Sequence, residues 1–374
     1  MSIAIVNRDF GEHAGAIGIG LRRFAEYQAS VSSVSIISTS KSKDLIDLGK
    51  NSNIKLFLAK SLSSSGSSIA IRLFELIYFA LFVMFSLIKS RPKIIYVSSN
   101  PPLIIPFFVF LFCYITKSKY IYHVQDIHPE ATMLVLNMPK ILEYFAKSMD
   151  RITLKNSDLV ITLSEDMKKS LLKRYDCLNI ILLQNPAIVN KDNLIMTKLN
   201  GAIFCGNAGR LQNIDILLEA IEIFLRNDNS DFFFGFVGGG VFSRRICSLS
   251  KKFKRFKYYG YVSAQEAIAI CSEYKWALLP IRTEVLKYAY PSKIPTYISA
   301  GCKIVSITSR DTELAKEIHD NDIGFNVEEN TADIVTAFEF MAKNQDGFFG
   351  TKNYTFLNTD EFGEGLSKLA NSIR

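Results

Sequence analysis

The chain has no paired cysteines. Its six, Cys113, Cys177, Cys205, Cys247, Cys271 and Cys302, are scattered singly, and none stands at C-x-x-C spacing. That argues against a disulfide frame or a thiolate zinc site and predicts buried thiols in a reducing compartment. No secretory segment opens the sequence: MSIAIVNRDFGEH reaches Asp9 before an apolar run of signal length develops. A cytoplasmic protein whose first residues form a strand is expected. Internal repeats are missing, and the Ser-rich SLSSSGSS at 61–68 is expected to be one mobile loop. Disorder and fibrous architectures are excluded by 48% hydrophobic against 21% charged residues and a mean hydropathy of +0.15.

At ~150 residues per domain, a chain of 374 predicts two to three domains. Its net charge of +8 is unevenly spread. Residues 1–187 hold 22 Lys/Arg against 14 Asp/Glu, whereas residues 188–374 hold 22 of each. The excess belongs to the first half.

That half also carries two apolar runs. LFELIYFALFVMFSLI lies between Arg72 and Lys89, interrupted by Glu75, and LIIPFFVFLFCYI (103–115) follows Pro101-Pro102. A spanning helix needs about 20 apolar residues, so both fall short. Burial as core helices is one reading. Immersion in one leaflet is the other, suited by the flanking Lys89, Arg91, Lys93, Lys117 and Lys119.

Short β-branched runs alternate with longer helical patterns. IAIVN (3–7), VSIIS (34–38), IKLFLA (54–59), IIYVS (94–98), YIYHV (120–124), LVITL (159–163) and IILLQ (180–184) read as strands. So do AIFCG (202–206), FFFGFV (232–237), KYYGYV (257–262), WALLP (276–280), KIVSI (303–307) and IGFNV (323–327). EDMKKSLLKRY (165–175) and IDILLEAIEIFLR (214–226) are helical. The alternation predicts an α/β protein with two Rossmann-like domains facing across a cleft. The boundaries read 1–186, a linker at 187–200, and 201–374 with a tail helix closing the fold.

Gly206-Asn207-Ala208-Gly209-Arg210-Leu211-Gln212 stands between strand AIFC and helix IDILLEAIEIF. Glycines admit a phosphate close to the backbone, the helix start offers unpaired N–H groups, and Arg210 adds a fork-shaped cation. A plain βα turn reads the same way. The segment Tyr288 to Gly301 adds weight: Pro291 is expected to open a helix whose first turn presents the Ser292 hydroxyl and Lys293 ammonium to an anion. FVGGG (236–240), with Gly239, is either a tight turn beside a nucleotide base or an ordinary loop.

Asp126-Ile127-His128-Pro129-Glu130 ends strand YIYHV. Three ionisable groups in five residues suit the orientation and deprotonation of an acceptor hydroxyl, with Asp126, His128 and Glu130 as catalytic candidates. A helix cap by Asp126 or Glu130 is the structural alternative. His123, inside the strand, reads as structural. Asp320-Asn321-Asp322 has the D-x-D look of a metal site but falls between a helix and a strand, where it reads as a turn. No metal site is expected. The run KKFKRFK (251–257) lies in the electrically neutral half, so it reads as a solvated helix face leading into a strand and not as a nucleic-acid site.

These pieces together resemble the GT-B-fold retaining glycosyltransferases of family 4, in particular their bacterial O-antigen and capsule branch. The resemblance runs through GAIGIGLRRFAEY (15–27), VQDIHPEA (124–131), SDLVITLSEDMKKSL (157–171), Asn185-Pro186, FCGNAGRLQNIDILLEAI (204–221), FVGGG and YPSKIPTYISAG (290–301). It implies a nucleotide-sugar donor bound by the second domain. Gly206, Asn207, Gly209, Arg210 and Gln212 would line the diphosphate, with Ser292 and Lys293 opposite, and no metal or other cofactor would be needed. Thr296 stands where the family usually has a Glu that grips the ribose, and Tyr288 where other members carry a second Glu; Thr offers one hydroxyl bond in place of a bidentate contact. Gly15, Gly18 and Arg22 are candidates to close over donor or acceptor phosphates.

The resemblance implies sugar transfer with retention to a polyprenyl-diphosphate-linked glycan, the enzyme lying peripherally at the inner face of the plasma membrane on anionic lipid. A nucleotide-sugar epimerase of the same fold and a catalytically degenerate partner subunit are the alternatives.

Overall fold

A computed structural model describes residues 2–11, 14–39, 42–63, 68–176, 178–188, 198–344 and 357–373. Cys177, most of the expected linker and part of the Ser-rich stretch lie outside the described residues. The chain forms two compact units.

The first unit runs β1 (Ser2–Val6), α1 (Gly15–Ala29), β2 (Ser33–Ser38), α2 (Lys43–Leu48), β3 (Ile54–Leu58), α3 (Ile69–Ser90), β4 (Ile94–Ser98), α4 (Ile104–Thr116), β5 (Lys119–Val124), α5 (Glu130–Met133), α6 (Lys140–Lys155), β6 (Leu159–Thr162), α7 (Glu165–Arg174) and β7 (Ile180–Leu182). Its seven strands are all parallel, in the order β3-β2-β1-β4-β5-β6-β7. A parallel sheet is covered on both faces, which is why IAIV and IIYV are continuous apolar runs and not alternating ones. One core holds Leu21, Phe24 and Tyr96 under α1; the other holds Phe79, Val83, Val109 and Phe112 from α3 and α4.

The second unit runs β8 (Leu199–Ala208), α8 (Ile214–Asn227), β9 (Phe233–Gly240), α9 (Ser243–Lys252), β10 (Phe256–Gly260), α10 (Ala264–Ser272), β11 (Tyr274–Pro280), α11 (Ile294–Ser299), β12 (Lys303–Ile307), α12 (Glu313–Asp320), β13 (Gly324–Val327) and α13 (Thr331–Lys343). Its parallel sheet has the order β10-β9-β8-β11-β12-β13. An aromatic cluster fills the core, with Phe204 stacked on Phe236 at 4.4 Å between centroids and Phe224 edge-on to Phe232, Phe234 and Phe338. Each such buried ring contributes roughly 1.5–3 kcal/mol. In both units the strand order reverses beside the first strand, between β1 and β4 and between β8 and β11. Open α/β sheets bind ligands outside the strand carboxyl ends at that reversal.

Three expectations are corrected. The tail helix α14 (Thr359–Ser372) belongs to the first unit, not to a domain at 201–374. It lies on α1, where a side chain on Gly363 or Gly20 would strike the opposing helix, and Gln28 Nε2 donates to the Ser367 Oγ at 2.9 Å. Tyr288–Tyr290 also belong to the first unit: Ile127 donates its N–H to the Tyr288 carbonyl at 2.7 Å, and Asp126 bridges Ala289.

The second correction concerns α3. The apolar run was bounded by Arg72 and Lys89, but the helix extends past both, from the Ser68 cap to a left-handed stop at Arg91. Among the described residues its segment Ala70–Ser90 is the one helix long and apolar enough to cross a membrane, and only 33% of its apolar window is buried. It is not simply a core helix. Glu75 sits on its buried side, where Arg8 Nη2 at 3.0 Å, Ser61 Oγ at 3.1 Å, Leu62 N–H at 2.9 Å and Ser63 Oγ surround the carboxylate. Burial pushes this carboxyl upward, but those donors outweigh it and hold it below the usual range.

Candidate functional site

Strands β8 and β9 stay paired to their ends, Gly206 with Gly238, Asn207 with Gly239 and Ala208 with Gly240. That close pairing requires glycine. Gly206, Gly238 and Gly240 have φ of 132°, 103° and 149°, and a Cβ on Gly238 would stand 2.2 Å from the Gly206 carbonyl oxygen. The Asn207 side chain lies over Gly240, its Oδ1 only 2.6 Å from where a Cβ there would be.

The space left by Gly206 is occupied by Lys293. A Cβ on Gly206 would stand 2.4 Å from the Lys293 Cε. The Lys293 ammonium donates to Gln212 Oε1 at 2.9 Å and lies 4.1 Å from the centroid of the Phe204 ring. Desolvation pushes Lys293 down to about 7, opposed by the negative charge that Cys205 would carry. One cation, one amide and a side-chain-free backbone thus meet at the carboxyl end of β8. Tyr297 fixes the floor, its hydroxyl accepting the Cys205 N–H at 2.9 Å and donating to the Leu278 carbonyl at 3.1 Å.

Here the third correction falls. The helix after Pro291 does not take Ser292 and Lys293 into its first turn; α11 starts at Ile294, with Lys293 as its N-cap residue and Pro295 inside the first turn. Proline lacks an N–H and tolerates only the early positions of a helix, which sets that start. Ser292 is exposed, and Thr296 is half-buried on α11.

Gly209 to Gln212 form the turn into α8. Arg210 is exposed and has no carboxylate partner among the described residues. The N-cap residue Asn213 does not cap the helix. Its side chain turns to Glu329, Nδ2 donating to Oε2 at 2.7 Å, while Glu329 also takes the Thr283 N–H at 2.9 Å. The first N–H groups of α8 are thus left without a side-chain acceptor from their own cap, beside Arg210 and Gln212. Together these groups can hold a diphosphate. Gly239 carries Tyr261, whose ring would stand 2.8 Å from a Cβ there and which is 79% exposed.

In the first unit, Ser99 Oγ accepts the N–H groups of Gln125 at 3.0 Å and Asp126 at 3.2 Å, which fixes the chain after β5. Asp126 is exposed, and desolvation of its carboxyl raises it to about 6. His128 shares a hydrogen bond with Thr132 Oγ1 at 2.9 Å and is lowered to about 4 by desolvation, so its ring is neutral at pH 7. Glu130 starts α5 and is ion-paired with Arg174 at 2.6 Å, which also reaches Asp150 at 3.5 Å. His123 is buried against the Tyr96 hydroxyl at 2.6 Å, the structural place expected for it. Gly15 opens α1 with φ 64°, and a Cβ on Gly18 would stand 2.2 Å from the Gly11 carbonyl oxygen, so Gly18 is needed for packing. Arg22 pairs with Glu26 at 3.0 Å.

The structure therefore brings Gly206, Gln212 and Lys293 together and places Asp126 and His128 on the loop after β5 and Glu130 at the start of α5. Sequence reasoning missed Tyr297, Glu329 and Gln125, whose Nε2 is buried without a hydrogen-bond partner among the described residues. Tyr297 lies inside the quoted YPSKIPTYISAG segment, so its signal was present; Glu329 had none. Asp320–Asp322 forms the expected turn, Asp322 left-handed at φ 52° with its N–H on the His319 carbonyl at 3.0 Å. Arg255 of the basic run is tied to Asp228 at 3.3 Å.

No protein-family model matches the chain. It is 24% identical over 260 residues to WbjE of Pseudomonas aeruginosa, described as a probable glycosyltransferase, covering 64% of this chain; the match spans 63% of that relative's length. Among solved structures, HepE of Anabaena in complex with UDP-glucose is 12% identical with a TM-score of 0.68 over the whole of both chains. WaaG, a glycosyltransferase involved in lipopolysaccharide biosynthesis, is 11% identical with a TM-score of 0.61, covering 99% of this chain and 95% of its own. A Listeria monocytogenes protein assigned as a UDP-N-acetylglucosamine 2-epimerase is 12% identical with a TM-score of 0.64, covering 99% and 96%. These likenesses show the fold: two Rossmann-like units, the make-up of GT-B glycosyltransferases.

Proposed function

We propose that the protein is a retaining glycosyltransferase that moves a sugar from a nucleotide-sugar donor to a polyprenyl-diphosphate-linked glycan in surface polysaccharide assembly. The observation that carries this reading is Lys293 seated in the gap at Gly206, with its ammonium on Gln212. A cation held at the end of the strand is aimed where a leaving nucleoside diphosphate develops charge, so it stabilises departure without reorganising. Arg210 and the α8 N-terminus add to the same field. The likeness to WbjE supports transfer over other chemistries.

In this mechanism the departing phosphate assists deprotonation of the acceptor hydroxyl on the face it leaves, and no enzymic nucleophile is required. Asp126 accepts the hydrogen bond of the acceptor hydroxyl and orients it, and the proton passes to the departing phosphate. His128, neutral at pH 7, offers a ring nitrogen, and Glu130, held by Arg174, positions the loop that carries both. No metal takes part in any of these roles.

A thermal-shift screen with UDP, GDP, dTDP and their sugars identifies the donor, because binding to the native state raises the unfolding midpoint by mass action. Transfer is then assayed with the lipid-linked acceptor, with and without EDTA, and the anomeric configuration is read by NMR. Conversion of the donor sugar without an acceptor would establish the epimerase instead. Binding without turnover of any donor would establish a degenerate partner subunit.

A further inference from the structure

Cys205, Cys271 and Cys302, far apart in the sequence, gather behind the strand end that seats Lys293. Successive residues of a strand point to opposite faces of its sheet. Phe204 points into the aromatic core under α8, so Cys205 points to the other face of β8. Helix α10 packs on β8 and carries Cys271 in its last turn; α11 packs on α10, and Cys302 follows it. The buried Tyr297 hydroxyl takes the Cys205 N–H at 2.9 Å and so fixes this stretch of β8 beside the two helices.

The three sulfurs are not equivalent. Cys302 Sγ donates to the Cys271 carbonyl at 3.2 Å, and burial pushes this thiol up to about 11. Cys271 is fully buried, and its thiol donates to the Cys205 sulfur. Of the three only Cys205 is partly exposed. The Cys271 hydrogen bond and the Lys293 ammonium hold its thiol below the ordinary range, against the effect of burial. An accessible sulfur with thiolate character beside a buried second thiol is the arrangement of a redox-sensing cysteine and its resolving partner. In a reducing compartment such a pair rests as two thiols.

We propose that Cys205 and Cys271 are a reversible redox pair that responds to hydroperoxides, Cys205 being the sulfur oxidised and Cys271 the one that resolves it. The Cys205 thiolate attacks a peroxide oxygen, the O–O bond breaks, and the departing hydroxide takes a proton from solvent, leaving Cys205 as a sulfenic acid. The Cys271 sulfur then attacks the sulfenic sulfur, its proton leaves with the sulfenic hydroxyl as water, and a disulfide remains. One peroxide is reduced to two waters while two thiols lose two electrons, and an external dithiol reverses the change by exchange. The effect on the phosphate site rests on the nucleotide reading given above. Cys205 precedes Gly206, and negative charge on its sulfur favours the Lys293 ammonium. A disulfide carries no charge, so the desolvated lysine loses its counter-charge and the cation that a diphosphate needs becomes scarcer.

The test exposes the full chain to hydrogen peroxide near neutral pH and maps its thiols by non-reducing peptide mass spectrometry. A Cys205–Cys271 disulfide is expected, removed by dithiothreitol, with Cys113, Cys247 and Cys302 left as thiols. Cys271→Ser should stop at the sulfenic acid, trapped on Cys205 by dimedone, whereas Cys205→Ser should leave Cys271 unoxidised. Circular-dichroism melts check that both variants fold, and Cys271→Ala replaces the serine variant if a buried hydroxyl unfolds it. Calorimetry of the reduced and oxidised protein with UDP, GDP and dTDP should show affinity about 10-fold lower in the disulfide form at pH 7.5 and regained on reduction. A disulfide made through Cys302, or oxidation of Cys247 as readily as Cys205, overturns the pair. Equal nucleotide affinity in the two forms overturns the switch. A reduced protein that binds no nucleotide defeats the phosphate reading instead, and the disulfide map then still decides the pair.

Discussion

Lys293 and Gly206 occupy one space: the lysine Cε lies where the glycine has no side chain, 2.4 Å from the place a Cβ would take. Two residues 87 positions apart in the sequence are therefore one device. A methyl group at Gly206 must displace the lysine and also accept a φ of 132°, which L-residues avoid. Gly206→Ala is expected to cost ~1–3 kcal/mol of stability and to weaken nucleoside diphosphate binding. Lys293→Ala removes the charge without the strain. A charge-assisted bond to phosphate contributes ~1.5–3 kcal/mol, so calorimetry with UDP should show affinity falling about 10- to 100-fold. If Lys293→Ala binds nucleotide as well as the parent, the phosphate assignment is wrong.

The depressed Lys293 gives this binding a pH signature. Its folded value of about 7 lies below the ordinary 10.5 because the ammonium is desolvated. Between those two values the unfolded chain holds more protons than the native one, so the stability of the unliganded protein rises with pH across that window. A bound diphosphate favours the charged form. Above pH 7 binding therefore takes up a proton, and the observed enthalpy at pH 8 should depend on the ionisation enthalpy of the buffer. Lys293→Arg, permanently charged, should lose that dependence.

Both sheets were legible in the sequence because a buried parallel strand is a short β-branched run, and IAIVN, AIFCG and KIVSI each became one. What could not be read were properties set by neighbours distant in the chain. Nothing in FLNTDEFGEGLSKLANSIR names α1 as its partner; the docking depends on Gly363 meeting Arg23 and Phe24. The apolar run before Lys89 could be a core helix or an interfacial one, since composition does not say how much of a helix its neighbours cover. Glu75 looked like an interruption and is a fastening. At the candidate site, Gly206 and Lys293 were each visible, but their shared space depends on the sheet order. Asn213 shows the same limit: its residue type suits a helix cap, and Glu329, from the turn after β13, takes the side chain away.

Asp126 should govern the acid limb of catalysis. Its carboxyl is raised to about 6 by desolvation. Because the residue is exposed, solvent screens the effect and no folding stability is assigned to it. If its ionised form accepts the hydrogen bond of the acceptor hydroxyl, kcat falls below pH 6 as the carboxylate is protonated. Asp126→Asn should reduce kcat about 100-fold or more and remove that limb, leaving the UDP-induced thermal shift intact. A pH profile unchanged by the substitution would assign the limb elsewhere.

Arg174 holds Glu130 at 2.6 Å and Asp150 at 3.5 Å, so one cation serves two enclosed carboxyl groups. Desolvation raises Asp150 to about 8, with Arg174 opposing and Glu130 adding to the rise. Asp150 is therefore largely protonated in the native protein at neutral pH. Its folded value lies above its unfolded one, so its contribution to stability is fully present at low pH and is lost as pH rises from about 4 through 8. Asp150→Asn, which mimics the protonated form, should flatten that part of the urea-denaturation profile and be tolerated best at pH 8 and above. Arg174→Met leaves Glu130 without its partner and should cost about 3–5 kcal/mol. Because Glu130 sits two residues after His128, Arg174→Met is also expected to lower kcat more than donor affinity. A conservative Arg174→Lys restores a charge but not the two-pronged reach, so it should recover part of the stability and less of the rate. Equal loss of rate and of UDP binding in Arg174→Met would mean that the cluster supports the fold generally and does not position the Asp126 loop.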